Sequence, residues 1–510
     1  MKNFLFTYYL IITFISIKVD LMSENTSEFY EARKIADKSK IIHCRIHGTI
    51  RLSPNIVSLV DTPEFQRLRH ISQLGLCHYV YPSATHTRFE HSIGVSYLAG
   101  NMITYIKDTY PNRKFIIKEI QSEPMLIDDL IVECYKIAGL CHDIGHGPYS
   151  HLFDDVLMGK SNHPYATHEA RSCWITETIC KRVLGNILTD AHINFIKSLI
   201  RPGPQHEGAL YQIVANYYTG LDVDKFDYLL RDTYCLNKKI SFDYQRLITD
   251  FIIDENGNIA YPKQSSLEPY LCYSSRYYMH KSVYNHKTVK IYEEMLTDIF
   301  RLVDPIFKIS DSVNDMDKFC KFVDSTISNR LELYATNSDW IQWNLTPEQH
   351  ADLKKACEIH RRIVTRQLYK CTISLVDLQP GQDSSDIRFS DCPDLVKKNS
   401  SLATALDKAL DLLIKSAPEF KREDFIIHKT KLSLMKIHNL YERVPFYYKK
   451  EDPRSFTKSE KQISCLLSGQ EATEILWYLI CRSETEKELV EIMTKILLEN
   501  NLIDHANIIV

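Results

Sequence analysis

Glycine is scarce in this chain, with 15 in 510 residues. No Walker-type or dinucleotide-binding glycine loop occurs, which excludes a phosphate cradle of loop amides at a strand-to-helix turn. Cysteine is not scarce, at 14, but no two form a Cys-x-x-Cys pair. That argues against a zinc ribbon or a thioredoxin-like centre and fits free thiols in a reducing compartment. There is no long basic tract and the net charge is −3, so nothing global points to nucleic acid. No internal repeat is present, which excludes a solenoid. The apolar run Phe4–Ile17 is too short for a firm membrane span.

That run follows Lys2 and has the length of a signal peptide, but Ile17-Lys18-Val19-Asp20 is a poor cleavage site. Met22 then opens a stretch typical of a cytosolic start. Three readings stay open: translated sequence upstream of the mature protein, which is preferred, an uncleaved anchor, or a true signal. The expected location is cytoplasmic and/or nuclear, with no membrane contact unless residues 1–21 are retained.

Tyrosine is abundant, at 30, and with few glycines this suggests a helical protein. A length of 510 residues allows a large core and two or more lobes. Helical periodicity dominates from Ile41 to about Phe300. Helices are expected over His91–Tyr105, entered through Arg88-Phe89-Glu90, over Asp128–His146, and over the long Glu268–Val303 stretch. A hairpin is expected at Phe251–Tyr261, turning at Glu255–Gly257. Beyond residue 305 the pattern mixes. A helix starts at Thr346-Pro347-Glu348, a strand covers Thr372–Leu378, and Gln379–Ser401 reads as an exposed loop. A helix follows at Leu402–Ser416. Asp424–Leu434 and Val444–Lys450 read as strands of one small sheet, and Ala472–Asn500 as one or two amphipathic helices. The expectation is a mostly α protein: residues 1–40 a hydrophobic segment and flexible arm, 41–304 a helical catalytic core, and 305–510 a smaller α+β regulatory and oligomerisation lobe.

Chemistry concentrates in Leu140–His151, which reads Leu-Cys-His-Asp-Ile-Gly-His-Gly-Pro-Tyr-Ser-His. Five of the 20 histidines (His142, His146, His151, His163, His168) fall in residues 142–168, where an even spread would put about one. At 3.6 residues per turn, His142 and His146 are expected on one helix face. Adjacent His142 and Asp143 suit a divalent metal ion, with His146 near enough to act on a water held there. Further ligands must come from elsewhere. His91 and Asp224, in Asp222-Val223-Asp224-Lys225-Phe226-Asp227-Tyr228, are candidates, although a lone helix-start histidine is more often structural and an Asp-rich helix more often solvated.

In this order the residues match the H…HD…D pattern, and the chain resembles the HD-domain deoxynucleoside triphosphate triphosphohydrolases, in particular the metazoan branch that carries a sterile-alpha-motif domain. The resemblance covers residues 40–300 and rests on Arg45–Gly48, Asp61–Arg69, Gln73–Gly75, Thr87–Ser92, Ala138–His151, Thr167–Glu169 and Gly220–Tyr228. It thins beyond residue 300. Only about 40 residues precede the core, so the sterile-alpha-motif domain is expected to be missing.

The resemblance implies a set of roles. His91, His142, Asp143 and Asp224 would bind zinc, iron or manganese. His146, His151 and His168, backed by Glu169 and Asp154, would handle protons. Arg88 and Lys225 would hold the triphosphate, with Mg²⁺ accompanying the nucleotides. Gln73 and Leu74 would line the sugar and base pocket. Tyr228 and Asp232 would contact the sugar, Asp232 at the 3′-hydroxyl, and Tyr284 would stand where a 2′-hydroxyl would lie. Arg276 and His280 would also reach the site. Asn285 replaces the family's glutamine, which puts its base-edge contact in doubt.

The same resemblance implies activation by GTP or dGTP and a dNTP, which bridge subunits from dimer to tetramer. Asp61, Gln66 and Arg69, with Lys40, would read the guanine, and Arg366 and Lys370 would meet phosphates. Val80, Arg246, His286, Lys287 and Lys449 would form a second nucleotide pocket, which departs from the family at His43 and Pro262–Gln264. The expected function is therefore metal-dependent hydrolysis of dNTPs to deoxynucleoside and tripolyphosphate, controlling dNTP pools. Two alternatives stand beside it: an HD phosphohydrolase of other substrates, and a nucleic-acid-binding or regulatory protein with a residual site. A surface for single-stranded nucleic acid at a subunit interface stays open.

Overall fold

A computed structural model describes residues 39–159, 161–240, 242–336, 344–380, 400–432, 443–458, 472–482 and 487–499. The chain divides into two compact units at the Thr62/Pro63 junction. In the first, strands β1 (Lys40–Cys44) and β2 (Gly48–Leu52) form an antiparallel hairpin with Lys40 opposite Leu52. Gly48 turns it with φ 69°, a conformation that favours glycine. Helix α1 (Pro54–Val60) follows, capped by Ser53 Oγ on the Ile56 amide, with Pro54 in the first turn. The run Phe4–Ile17 lies outside the described residues.

The second unit is built on helices whose starts are written in the sequence. Asp128 caps α3 (Asp129–Cys141) through the Ile131 amide, Thr167 caps α4 (His168–Leu184), and Asp222 caps α6 (Val223–Cys235) through the Lys225 amide. Helix α2 (Arg88–Thr109) packs along α3, and α5 (Asp190–Ile200) lies between α4 and α6 in sequence. The α2–α3 contact is close because Gly139 faces the Val95–Ser96 backbone, and an added Cβ would sit 2.9 Å from Val95 O and 3.0 Å from Ser96 N. The flanking residues Leu98, Ala99, Met102, Ile137 and Leu140 are wholly buried.

Two helical expectations are corrected. The helix expected to run to His146 ends at Cys141, and His142 caps it; the chain then turns through Ile144–Gly147, so His142 and His146 do not share a helix face. The turn is needed because Gly145 is pressed on the N-terminus of α4, where a Cβ would meet His168 O at 2.3 Å. The long Glu268–Val303 stretch is likewise two helices. Helix α7 (Leu267–Met279) opens into a π-turn, His280–Tyr284, and α8 (Lys287–Phe307) restarts after His286, whose ring accepts from the Thr288 amide.

Strands β3 (Phe115–Ile117) and β4 (Gln121–Met125) pair antiparallel. The expected hairpin also forms: β5 (Ile252–Ile253) pairs antiparallel with β6 (Ile259–Pro262), and Asp254 Oδ1 accepts from the Asn256 and Asn258 amides in the turn. Helices α9 (Asp324–Ala335) and α10 (Pro347–Val364) pack together, α10 with the Thr346–Gln349 capping box. The C-terminal sheet has the order β7 (Lys370–Pro380), β10 (Ala472–Cys481), β8 (Phe425–Leu432), all antiparallel, with α11 (Ser400–Ser416) and α12 (Lys487–Glu499) contributing to its core.

The amphipathic helix expected to begin at Ala472 is thus corrected. Residues 472–481 are the central strand, and every side chain from Ile475 to Cys481 is buried, as a strand covered on both faces requires. Val444–Lys450 is corrected too. Its strand β9 (Phe446–Tyr447) pairs in parallel with β6 rather than with β8. Most of the loop expected at Gln379–Ser401 lies outside the described residues. Among the described residues no helix is long and apolar enough to cross a membrane.

Gly139→Ala should force α2 and α3 apart and lower stability by about 1–3 kcal/mol, the usual cost of overpacking. Urea unfolding of the variant against the wild type measures this, and equal midpoints would refute it.

Candidate metal centre and catalytic cleft

Three segments converge on one buried point. The first turn of α2 supplies Arg88 and His91, the end of α3 supplies His142 and Asp143, and the first turn of α6 supplies Asp224. His91 Nε2 lies 3.1 Å from Asp224 Oδ1 and 3.6 Å from Asp143 Oδ2. His142 Nε2 lies 3.3 Å and 3.5 Å from the same two atoms. Ligand atoms about 2.0–2.2 Å from one ion stand roughly 3–3.5 Å apart, so His91, His142 and Asp224 fit a single divalent cation, with Asp143 Oδ2 beside both rings and paired with Arg88.

The far sides of both rings are fixed. His91 Nδ1 is 2.8 Å from Asp227 Oδ2, and His142 Nδ1 is 2.8 Å from the Gly139 carbonyl. These bonds turn the two Nε2 atoms to the shared point, as outer partners of metal-ligating histidines do. His142 Nε2 is buried there without a well-formed hydrogen bond. Burial opposes charge on His91, yet its hydrogen bonds to Asp224 and Asp227 lift its pKa to about 10. The field of the donor set thus attracts positive charge. Gly94 makes room for the Asp227 carboxylate, since a Cβ there would lie 1.9 Å from Asp227 Oδ1.

A second cluster adjoins the first through Asp143, whose Oδ1 lies 3.3 Å from His146 Nε2. His146 stacks on His168 at 3.9 Å between ring centres, with His151 edge-on to both at 5.0 and 5.3 Å. His168 Nδ1 meets Asp154 Oδ2 at 2.8 Å, and Glu169 Oε1 is 3.5 Å from His168 Nε2. Asp154 is also bound by the wholly buried Arg171, whose other donors hold the carbonyls of Gly145, Tyr165 and Ala166. The three histidines differ in proton affinity. Burial, with the charges of Arg88 and His168, holds His146 well below its ordinary value. Burial, with His168 and Arg88, pushes His151 down to about 4. For His168 burial is outweighed by Glu169 and Asp154, which raise it. Asp143 resists burial through Arg88, His142 and His146, which keep it well below the carboxylate range.

The remaining candidates line up around this core. Arg88 pairs with Asp143 and donates through Nε to Ser150 Oγ at 2.8 Å. Lys225 Nζ stands 3.4 Å from Asp222 Oδ1, and Asp222, Tyr228 and Arg276 all act on its charge. Tyr228 is pushed up to about 12, chiefly by burial. Tyr284 donates its hydroxyl to Asp232 Oδ2 at 2.6 Å, and its ring lies edge-on to His280. Gln73 Oε1 is buried and unpartnered, and Leu74 starts the turn behind it. The Asn285 amide donates to the His280 carbonyl at 2.9 Å, so it is engaged within its own turn.

The candidate regulatory residues sit on exposed ground. Lys40 pairs with Asp61 at 2.7 Å in the first unit. In the second, Arg69 donates to Gln66 Oε1 at 2.8 Å and lies over the Phe89 ring. Arg366 donates to the Tyr79 carbonyl, beside Val80. The rings of His286 and Tyr81 meet edge-on, and Lys287 lowers the proton affinity of His286 after burial does. Arg246 is in a short helix Tyr244–Thr249, Lys370 opens β7, and Lys449 follows β9.

Several supporting residues escaped the sequence reading. Arg231 clasps Asp227 from one turn on, at 2.8 Å. The buried Arg67 holds the Ile144, His146 and Phe322 carbonyls. Asp324 accepts the Ser72 and Tyr149 amides at 2.8 and 2.7 Å, steadying a loop in which Tyr149 and Ser150 both have φ near 60°. His86 Nε2 lies 2.7 Å from Asp232 Oδ1. Only the spacing Asp227–Arg231, one helical turn, could have flagged its pair in advance.

With this geometry in view, its likeness to known proteins bears on the chain. The HD domain family model matches residues 88–205, the span that supplies His91, His142 and Asp143. A putative HD domain-containing protein of Acanthamoeba polyphaga mimivirus is 43% identical over 91% of this chain and 96% of its own length. The deoxynucleoside triphosphate triphosphohydrolase of Gallus gallus is 32% identical over 88% of this chain and 72% of its own, and a Dictyostelium discoideum homologue 33% identical over 92% and 82%.

Asp227→Asn should weaken the hold on the His91 ring and lower metal affinity by about 10–100-fold, as loss of an outer partner does. Metal per chain after dialysis against a weak chelator reads this out, and undiminished content would contradict the assignment.

Proposed function

The chain belongs to the HD-domain deoxynucleoside triphosphate triphosphohydrolases, and on that footing we propose that it hydrolyses dNTPs to deoxynucleoside and inorganic tripolyphosphate. The observation that carries the proposal is Asp143, placed between the His91–His142 pair of the candidate metal centre and the histidine cluster. Cationic and sugar-facing residues of the same fold complete the cleft.

His91, His142, Asp143 and Asp224 would hold a divalent transition metal (zinc, iron or manganese), which when bound supplies a Lewis acid that offsets α-phosphate charge and makes water more acidic. Arg88, as a planar fork, and Lys225, as a point charge, bind the triphosphate. Mg²⁺ accompanies the nucleotide. Water adds to the α-phosphorus and the bond to the 5′-oxygen breaks. That oxygen needs a proton. His146 and His151 are held neutral largely by burial and by the positive charges of Arg88 and His168. An incoming triphosphate reverses the sign of that field, so their affinity for a proton rises as substrate binds. His168, kept proton-rich by Glu169 and Asp154, feeds the exchange.

Substrate choice is read at the other end. Asp232 accepts the 3′-hydroxyl, Tyr228 packs on the sugar, and the Tyr284 ring fills the space a 2′-hydroxyl would need. Gln73 Oε1, buried without a partner, suits a donor on the nucleoside. Regulation is part of the proposal: GTP or dGTP at Gln66 and Arg69, with a dNTP at Val80, Arg246, His286 and Lys287, drives assembly from dimer to tetramer and so adjusts dNTP pools. Arg366, Lys370 and Lys449 contribute phosphate contacts. The activity is assigned to the cytoplasm or nucleus.

Incubation with dATP and Mn²⁺ or Mg²⁺ should release deoxyadenosine and tripolyphosphate, and Asp143→Ala should abolish both turnover and metal content while the fold persists. Orthophosphate or pyrophosphate as product, or no turnover of any dNTP, would sink the proposal. Arg69→Ala should raise the GTP concentration needed for activation about tenfold, equivalent to about 1.4 kcal/mol of binding. An unchanged activation curve would remove the guanine-nucleotide assignment.

A further inference from the structure

The proposed reading gives Asp232 and Tyr284 to the sugar and leaves His86 unused. Yet His86 touches every part of that end of the cleft. Its Nε2 meets Asp232 Oδ1 at 2.7 Å, and the Tyr284 hydroxyl meets the other oxygen, Oδ2, at 2.6 Å. The His86 carbonyl accepts the Gln73 amide at 3.0 Å. His86 also stands two residues before Arg88, and the bridge between Ser72 and Thr87 ties its strand to the Gln73 segment. Sugar-end and phosphate-end groups are thereby mounted on one short piece of backbone.

The charges explain why a histidine belongs there. The side chains of His86 and Asp232 are 0% and 2% exposed. A carboxylate buried that deeply is costly without a cationic partner. Burial disfavours charge on His86, but hydrogen bonds with Asp232 and Cys235 and the charges of both outweigh it and lift its pKa to about 9. Each carboxylate oxygen offers two acceptor positions, so bonds from His86 and Tyr284 leave one on each oxygen for a substrate hydroxyl.

We infer that His86 is a positioning residue for deoxyribose recognition, holding Asp232 where its carboxylate both accepts the 3′-hydroxyl and anchors the Tyr284 hydroxyl. The inference rests on the proposed dNTP hydrolysis. It makes sugar selection a property of three linked side chains: a histidine that fixes a carboxylate, which fixes a tyrosine. With His86 removed, Asp232 turns and the Tyr284 ring is no longer pinned against a 2′-hydroxyl.

The test compares kcat/KM for dATP, 2′,3′-dideoxy-ATP and ATP in the wild type, His86→Ala and His86→Gln. His86→Ala should cut kcat/KM for dATP by about 10–100-fold, the range for losing a hydrogen bond to a charged group. It should change the dideoxy substrate by less than about threefold, because that substrate has no 3′-hydroxyl for Asp232 to read. The preference for dATP over ATP should fall as well. His86→Gln, which keeps an N–H near the Nε2 position without the charge, should fall between the two. Equal losses on all three substrates, with the dATP-to-ATP ratio intact, would overturn the inference by leaving His86 a purely structural role. If His86→Ala does not fold, the His86→Gln ratios decide alone, and wild-type ratios there overturn it. A wild type inactive on every dNTP would instead sink the proposed function and this inference with it, whereas an active wild type with uniform variant losses sinks only the role of His86.

Discussion

The carboxylate of Asp143 is the constraint to which the rest of the cleft answers. It is buried, ionised and shared, with Oδ2 toward His91 and His142 and Oδ1 toward His146. Arg88 neutralises it from a third side. A carboxylate in that setting cannot stand alone, because desolvation costs several kcal/mol per ion before any partner is counted. Every neighbour is consistent with this need. Arg88 is itself steadied by Ser150, and Ser150 by the Ser72 carbonyl at 3.0 Å.

The same logic repeats one shell outward. Asp227 fixes His91 and is balanced by Arg231; Asp154 fixes His168 and is balanced by Arg171; Asp232 is balanced by His86. His91, His168 and Tyr284 are thus each oriented by a carboxylate, and each of those carboxylates by a buried basic side chain. Such a lattice of charges is rigid because breaking one member strands its partner in a low dielectric. Rigidity of this kind suits a site that must hold ligand atoms within a few tenths of an ångström of one another. Close approach of the Asp227 and Arg231 side chains at Gly94, and of backbone at Gly139 and Gly145, lets the three supporting segments come close enough for it.

Much of this was legible in advance. The helix start at Asp128 and the hairpin turn at Glu255–Gly257 are local chemistry, and the helix and the hairpin began or turned there; the starts capped by Thr167 and Asp222 were not read in advance. The metal-binding residue types in the H…HD…D order were readable because that chemistry admits few alternatives. The errors have one cause. Periodicity reports which side chains are apolar, not what covers them. The run at 472–481 is apolar because it becomes the middle strand of a sheet, and His142 and His146 leave a common helix because α4 presses on Gly145. Likewise Val444–Lys450 was recognisable as extended, but its partner strand was not, since pairing is a matter of distant contacts.

The sequence by itself determined the reaction class the chain is equipped for, the residue types available as ligands and proton carriers, and where several helices begin. These follow from residue type and short spacing, which local physics reads directly. Only the tertiary structure decided which buried cation answers each buried carboxylate. Arg67, Arg171, His86 and Asp324 meet partners far along the chain, from Arg171 to Asp154, 17 positions away, to Arg67 and the Phe322 carbonyl, 255 away. No local pattern marks such pairs, because the energy that selects them is the cost of burying charge, and burial exists only once the chain has folded.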